Sequence, residues 1–232
     1  MALPKLNTPK YSMVVPSTEV SIEYRPYLVK EEKILMMASE SNDEKAIITA
    51  MKDLIHTCTF GAVDPNSLTM YDLEYLFVKI RAKSVGESAK VKLKCKSCEA
   101  SNEVTFNLDA VTVESTTTDM KIDLGDGVGL MMRYPDVNQV MDVSNGTDIE
   151  KMMGMVRASI ESIYTAEEVW NIKEQSKDEV NAFIDSLTSG QFTLIRNHLE
   201  TMPTATITVD YKCAECVEDN HIVLKGAQNF FS

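Results

Sequence analysis

No run of this 232-residue chain approaches the roughly 18 consecutive apolar residues that a membrane-spanning helix requires. The amino-terminal segment MALPKLNTPKYSMVVPS lacks the continuous apolar stretch of an export signal, and its prolines would break a helical anchor. Neither a signal nor an anchor is expected. Histidine is scarce, with three residues at positions 56, 198 and 221, and neither HExxH nor GxSxG occurs. A histidine-based catalytic site is therefore poorly supplied, no zinc-deaminase set is expected, and the chain reads as a non-enzyme. No repeat of 20 to 50 residues covers the sequence and no low-complexity linker divides it. Basic residues are outnumbered by acidic ones, 23 against 35, which leaves a net charge of −12. Such a field repels nucleic acid and anionic membrane, so neither is an expected partner and protein partners are favoured.

What is present is the composition of a folded chain, 44% apolar and 25% charged, long enough to bury a core without staples. Alternation around YSMVVPSTEVSIEYR predicts a hairpin over residues 11–25 with its turn near Pro16 to Thr18. Three helices follow. PYLVKEEKILMMASES spaces Leu28, Ile34, Leu35 and Ala38 helically, NDEKAIITAMKDLIHTC does so with Ile47, Met51, Leu54 and Ile55, and TMYDLEYLFVKIRAKS opens on a Thr69/Asp72 capping pattern. From Glu87 to Arg133 the period switches to two. AKVKLKC, NEVTFNL, AVTVE, MKIDL and VGLMMRY read as five strands, with LGDGVG as a hairpin turn. After Pro135 come helices at DVNQVMDV, DIEKMMGMVRASIESIY, KDEVNAFIDSL behind a Ser176/Glu179 capping box, and GQFTLIRNHLETM. The strands ATITVDYKC and NHIVLKG then end the pattern. The expected class is α+β, helical units flanking a small antiparallel β module with a two-knuckle zinc-ribbon-like site. The expected organisation is an N-terminal hairpin and helical region over 1–86, a β module from 87–134 and 204–232, and a helical insertion over 135–203.

Four of the five cysteines form two CxxC pairs, Cys95/Cys98 and Cys213/Cys216; Cys58, at the end of an apolar helical stripe, reads as an inert buried thiol. A Cys-x-x-Cys hairpin tip turns both sulfurs to one side, where backbone amides can bond to thiolates. One such knuckle supplies two ligands, and zinc takes four in a tetrahedron, so Cys95, Cys98, Cys213 and Cys216 are the candidate ligands of one structural Zn2+. Between Cys98 and Cys213 lie 114 residues, far more than compact zinc fingers separate. Yet each pair follows an alternating strand ending in Lys (VKLKC, VDYKC) and precedes a polar turn and another strand (NEVTF, NHIVL). Doubling a loop adds only ~0.6 kcal/mol of closure entropy. A structural zinc can contribute ~10 kcal/mol or more. The competing readings are unmetallated knuckles or a cystine within each CxxC. A thioredoxin-like role is weaker, because strands rather than a helix N-terminus flank both pairs. His221 offers a possible substitute ligand but reads as a strand residue beside four thiolates.

Lys90, Lys92, Lys94 and Lys96 project from one strand face. This reads first as the solvated face of an edge strand, and second as a surface for phosphate or an acidic partner. Met36, Met37, Met131, Met132, Met152, Met153 and Met155 fall in core-like stripes, so core packing is the expectation, and an exposed patch there would point to a partner site.

The segments LPKLNTPKY, YRPYLVKEEKILMMA, DLEYLFVKIRAKSVGE, MRYPDV, QFTLIRNHLETMP and LKGAQNFF, together with both CxxC pairs, resemble a baseplate hub protein family of T4-like contractile-tailed bacteriophages, nearly end to end. The resemblance implies a protein needed to build the central hub of the tail baseplate. It would be made in the host cytoplasm, reside in the virion tail, have other hub and tail proteins as partners, and lack enzymatic activity. Cys95, Cys98, Cys213 and Cys216 match the family's paired positions. Two alternatives accompany this reading: a transient hub assembly chaperone absent from the virion, and a zinc-ribbon nucleic-acid-binding regulator. A glycine often follows the second cysteine of zinc knuckles, whereas Glu99 and Val217 stand here.

Overall fold

The computed structural model describes residues 7–41, 43–114, 119–144 and 146–226. The start of the family-like LPKLNTPKY and the end of LKGAQNFF lie outside these. The chain divides into two compact units, Met1–Glu114 with Thr204–Ser232, and Ser115–Pro203. The class is α+β, with seven helices and small antiparallel sheets among the described residues.

The first unit opens with the expected hairpin, β1 (Tyr11–Val14) and β2 (Ser21–Tyr24), paired from Tyr11↔Tyr24 to Val14↔Ser21. Its turn is fixed from outside, because Ser17 donates its amide to the Asp72 carboxylate at 2.9 Å. Asp72 is fully buried and also accepts from the Thr69 amide and hydroxyl, closing the capping box of α3 (Met70–Val85). Before it run α1 (Val29–Glu40) and α2 (Glu44–Cys58). Ile48, Met51, Leu54, Ile55 and Cys58 of α2 and Leu73, Leu76, Phe77 and Ile80 of α3 are all buried. Burial pushes the Cys58 thiol up to about 11, in keeping with an inert core group.

Helix α1 is held differently. Its one buried residue is charged: Glu31 accepts from Arg25 Nη2 at 2.9 Å and from the Leu28 amide at 2.7 Å, while Arg25 donates Nη1 to the Pro26 carbonyl. This gives Arg25 and Glu31 of the YRPYLVKEEK segment a structural role, that of pinning the helix start after the proline. Desolvation alone would raise the Glu31 pKa, but Arg25, the Leu28 amide and Lys30 outweigh it and hold the carboxyl below its usual range. Val29, Ile34, Met36 and Met37 remain exposed. The core expectation for the methionines therefore holds for Met132, is met halfway by Met131, Met152, Met153 and Met155, and fails for Met36 and Met37. Helical spacing creates a stripe without saying whether anything covers it.

Then come β3 (Ser88–Lys94), β4 (Ser101–Asn107) and β5 (Thr112–Val113). Lys79 and Lys83 of α3 grip Asp109 just after β4, at 2.9 and 3.1 Å.

The second unit is a four-stranded sheet backed by helices. Strands β6 (Lys121–Gly125) and β7 (Val128–Met132) flank a tight turn with Asp126 and Gly127 at positive φ, 51° and 75°. Helices α4 (Val137–Val143) and α5 (Asp148–Ser159) follow. The expectation of one helix through DIEKMMGMVRASIESIY is corrected here, since α5 stops at Ser159 and Ile160–Tyr164 forms strand β8. Ile160 stands four residues after Val156, which suits either element. The decision is non-local, made by pairing with β7 at Leu130↔Ile163 and Met132↔Ile160. Strand β9 (Val169–Asn171) pairs next to β8, giving the order β6-β7-β8-β9. Val156, together with Val180 and Ile184 of α6 (Lys177–Asp185) and Ile195 of α7 (Ser189–Glu200), packs on Ile122, Leu124, Leu130, Met132, Ile160 and Ile163. Gly129 makes room for the end of the Tyr164 side chain across the β7–β8 pair, and a Cβ there would force that ring to shift.

The chain then returns to the first unit as β10 (Ala205–Lys212) and β11 (Asp219–Lys225), with β10 pairing to β11 on one edge and β5 on the other.

Candidate metal centre

Each CxxC caps a hairpin whose strands pair through seven residues, β3 with β4 to Lys94↔Ser101 and β10 with β11 to Lys212↔Asp219. The tips are built alike. The Cys95 amide donates to the Ala100 carbonyl at 2.9 Å and the Glu99 amide to the Cys95 carbonyl at 3.0 Å. At the other tip, the Cys213 amide donates to the Glu218 carbonyl at 2.9 Å and the Val217 amide to the Cys213 carbonyl at 3.0 Å. The chain reverses through positive φ at Glu99 (58°) and Val217 (62°), the two positions where knuckles often carry glycine.

Although 114 residues separate the pairs, the fold brings the four sulfurs within 4.8 Å of one another. Cys95 Sγ lies 3.6 Å from Cys216 Sγ, and Cys98 Sγ lies 3.6 Å from Cys213 Sγ, so the close pairs run between the knuckles. All five cysteines are free. A sulfur pair at this distance is far from the ~2.05 Å of a disulfide, whereas Zn–S bonds of ~2.3 Å place tetrahedral sulfurs ~3.8 Å apart. The four cysteines therefore fit a single metal ion. His221 stands on β11 with Nδ1 2.7 Å from the Asp210 carboxylate.

The inner sulfurs of the cluster, on Cys95 and Cys213, are buried, and those of Cys98 and Cys216 belong to exposed residues. Backbone amides of Cys98 and Ser97 hold Cys95 down to about 6, and the Cys216 and Glu215 amides hold Cys213 down against burial. At Cys98 and Cys216 the amides of Ala100 and Glu218 act in the same sense, but desolvation and neighbouring sulfurs win, and Cys216 rises to about 12. Four sulfurs this close repel one another once charged, so a cation among them is what allows all four to be thiolates.

Two residues passed over in the sequence belong to the centre. Asn102 and Asn220 each stand seven positions after the first cysteine of their pair, in C-x2-C-x3-N, and both are buried. The shared offset was one available signal. Alternation is a second signal, since it puts Asn102 in phase with Val104 and Phe106, and Asn220 in phase with Ile222 and Leu224, on the inward face of each strand.

One H-x-E tripeptide, the histidine and glutamate portion of a zinc-deaminase set, does occur, His198-Leu199-Glu200 on α7. The unit that holds it contains no cysteine, and burial pushes the His198 imidazole below its usual value. Its own unit therefore supplies none of the thiolates that a deaminase-type zinc site combines with such a tripeptide. No helix among the described residues is long and apolar enough to cross a membrane. Lys90, Lys92, Lys94 and Lys96 are all exposed, as an edge-strand face requires. Lys90 is paired with Glu103 at 2.7 Å and Lys96 donates to the His221 carbonyl at 2.7 Å.

The fold and the site define an α+β protein with a four-cysteine centre that joins the middle of the chain to its end. The family model described as T4 bacteriophage base plate protein matches residues 8–232, so the chain belongs to that family. It is thereby a bacteriophage base plate protein, and its family implies a place in the virion tail beside other tail and base plate proteins. No curated protein and no solved structure matches the chain.

Proposed function

We propose that the protein is a structural or assembly component of the central hub of the phage tail baseplate, shaped by a structural zinc ion at Cys95, Cys98, Cys213 and Cys216, and without catalytic activity. The observation that carries the reading is the family match over nearly the whole chain. Two features support it. Four cysteine ligands complete a tetrahedron and leave no position for substrate or water, as structural zinc sites do. The bound ion would supply a cross-link between residues 95–98 and 213–216. The outward face of α1, with Met36 and Met37 58% and 62% exposed, presents apolar surface of the sort that subunits of larger assemblies cover. An all-thiolate set suits zinc among the abundant cellular metals, with iron and copper(I) as its competitors.

Elemental analysis of the purified protein is expected to find one zinc per chain, and a preparation free of metal whose melting temperature ignores strong chelation would remove the zinc assignment. Co-purification with hub subunits, and detection of the protein in finished tails, test the assembly role. Presence only in assembly intermediates would favour the transient chaperone, and failure to associate with any hub subunit would overturn the hub assignment. No feature of the described residues favours the nucleic-acid-binding alternative, since the net charge is −12 and two lysines of the candidate face are already engaged.

A further inference from the structure

The surroundings of the four sulfurs repeat themselves across the two knuckles. Asn102 donates Nδ2–H to the Ala100 carbonyl of its own knuckle at 2.9 Å and to Cys213 Sγ of the other at 3.6 Å. Its Oδ1 accepts from the Ala214 amide, again in the other knuckle, at 2.8 Å. Asn220 does the same in reverse. It donates to its own Glu218 carbonyl at 3.0 Å and to Cys95 Sγ at 3.5 Å, and accepts from the Lys96 amide at 3.0 Å. Both amides are buried, at 6% and 3% exposure, so these bonds form where water does not compete. Each side chain uses both N–H donors and its oxygen, and the partners leave one orientation of the amide possible.

This arrangement asks for asparagine specifically. Aspartate would keep the acceptor for the opposite backbone amide, but it would lose both donors and set a negative charge beside a thiolate. Leucine or alanine would leave the Ala214 or Lys96 amide without this partner and would take one donor away from a sulfur. The contacts also cross. Each asparagine is rooted in one hairpin and clamps the residue after the first cysteine in the other, so neither knuckle has its final shape alone.

We propose that Asn102 and Asn220 are reciprocal positioning residues that lock the two knuckles into a single preformed metal site, so that the four sulfurs take up one ion as a unit rather than as two half-sites. The inference rests on the metal-binding reading above. Outer-shell partners of metal ligands typically tune affinity by 10- to 100-fold, which sets the size of the effect.

The test is Co2+ titration of the metal-free full chain, followed by its thiolate charge-transfer and d–d absorption, with Asn102→Ala, Asn220→Ala and Asn102→Asp compared with the parent. The parent is expected to reach a tetrahedral four-sulfur spectrum at one Co2+ per chain, with that spectrum present from the first addition. Each alanine variant should bind Co2+ about 10- to 100-fold more weakly and release it faster to a chelator. Asn102→Asp should keep the spectral type but share the faster release. If the parent shows no four-sulfur spectrum, the metal reading itself fails. If the parent does but the variants bind and release Co2+ as it does, the positioning role is wrong. Should the variants not fold, the unaltered protein loaded with 113Cd remains informative. Scalar coupling from cadmium through Cys213 and Cys95 sulfur to the side-chain amide protons of Asn102 and Asn220 is expected, and its absence would overturn the proposal.

Discussion

Hairpins β3–β4 and β10–β11 end in the same knuckle but stand on different ground. Both tips share their backbone bonds, their positive-φ residue and their crossing asparagine. Behind the tips the likeness ends. Strand β10 has a partner on each side and buries Ala205, Thr206, Ile207 and Val209, whereas β3 and β4 make a two-stranded sheet of their own, with Ala89 and Leu93 the buried members of β3. The backbone turn of a knuckle is therefore local, its final shape is completed by an asparagine of the other hairpin, and what it accomplishes depends on its support. On the proposed zinc reading, the bound ion would moor a lightly supported hairpin to one already built into the core.

The largest expected effect comes from breaking the mooring. Cys213→Ser, or removal of the ion by a strong chelator, forfeits most of the ~10 kcal/mol that a structural zinc can contribute. Amide hydrogen exchange should then rise first across β3–β4, while β10–β11 keeps its protection. Faster exchange in β10–β11 than in β3–β4 would reverse the comparison. Truncating the supports themselves sharpens it next. Ile207 is 1% exposed and Leu93 9%. Ile207→Ala should cost about 4 kcal/mol and Leu93→Ala about 2, both within the range of buried large-to-small changes, as read from chemical denaturation of the metal-loaded protein. Equal losses would mean that both hairpins lean on the core alike.

The tips offer a third, smaller test, because their shared φ is occupied by different residues. A left-handed conformation costs a non-glycine residue roughly 1–2 kcal/mol, more for a β-branched one. Val217→Gly should therefore raise stability by about 1 kcal/mol and Glu99→Gly by less, since added freedom in the unfolded chain offsets part of each gain. The melting temperatures of the two variants check the order.

What the sequence made legible follows the same division between local and distant causes. The capping boxes at Thr69/Asp72 and Ser176/Glu179 could be read directly, because each closes within four residues. The cysteine pairs and their flanking strands were readable for the same reason, and their likeness to each other suggested that they meet. Strand β8 was not readable, since Ile160 to Tyr164 becomes a strand only against β7. The pinning of α1 was equally hidden, as it joins Arg25 and Glu31 across a proline turn, and helical spacing gave no sign that Met36 and Met37 face outward. Asn102 and Asn220 lie between these cases. Their offset is written in the sequence, but their partners belong to the opposite hairpin.

The smallest expected effect concerns the lysine face of β3. Lys90 sits 2.7 Å from Glu103 across the hairpin, with both side chains well exposed. The hydrogen bond to Lys90 holds the Glu103 carboxyl below its usual range, and the same bond raises Lys90. With the glutamate depressed, its contribution is present above the unfolded value of about 4.3 and lost as pH falls through the folded one. With the lysine raised, its contribution is present below about 10.4 and lost as pH climbs through the folded value. The pair thus acts across the neutral range and fades at either end. Exposed pairs of this kind are screened by solvent and salt, so Lys90→Ala should leave the melt unchanged while carboxyl NMR shows Glu103 returning toward its ordinary value. If Lys90→Ala instead loosened β3–β4 as much as Leu93→Ala does, the hairpin would draw its support from its charged face, and the mooring role assigned to the cysteine centre would lose its basis.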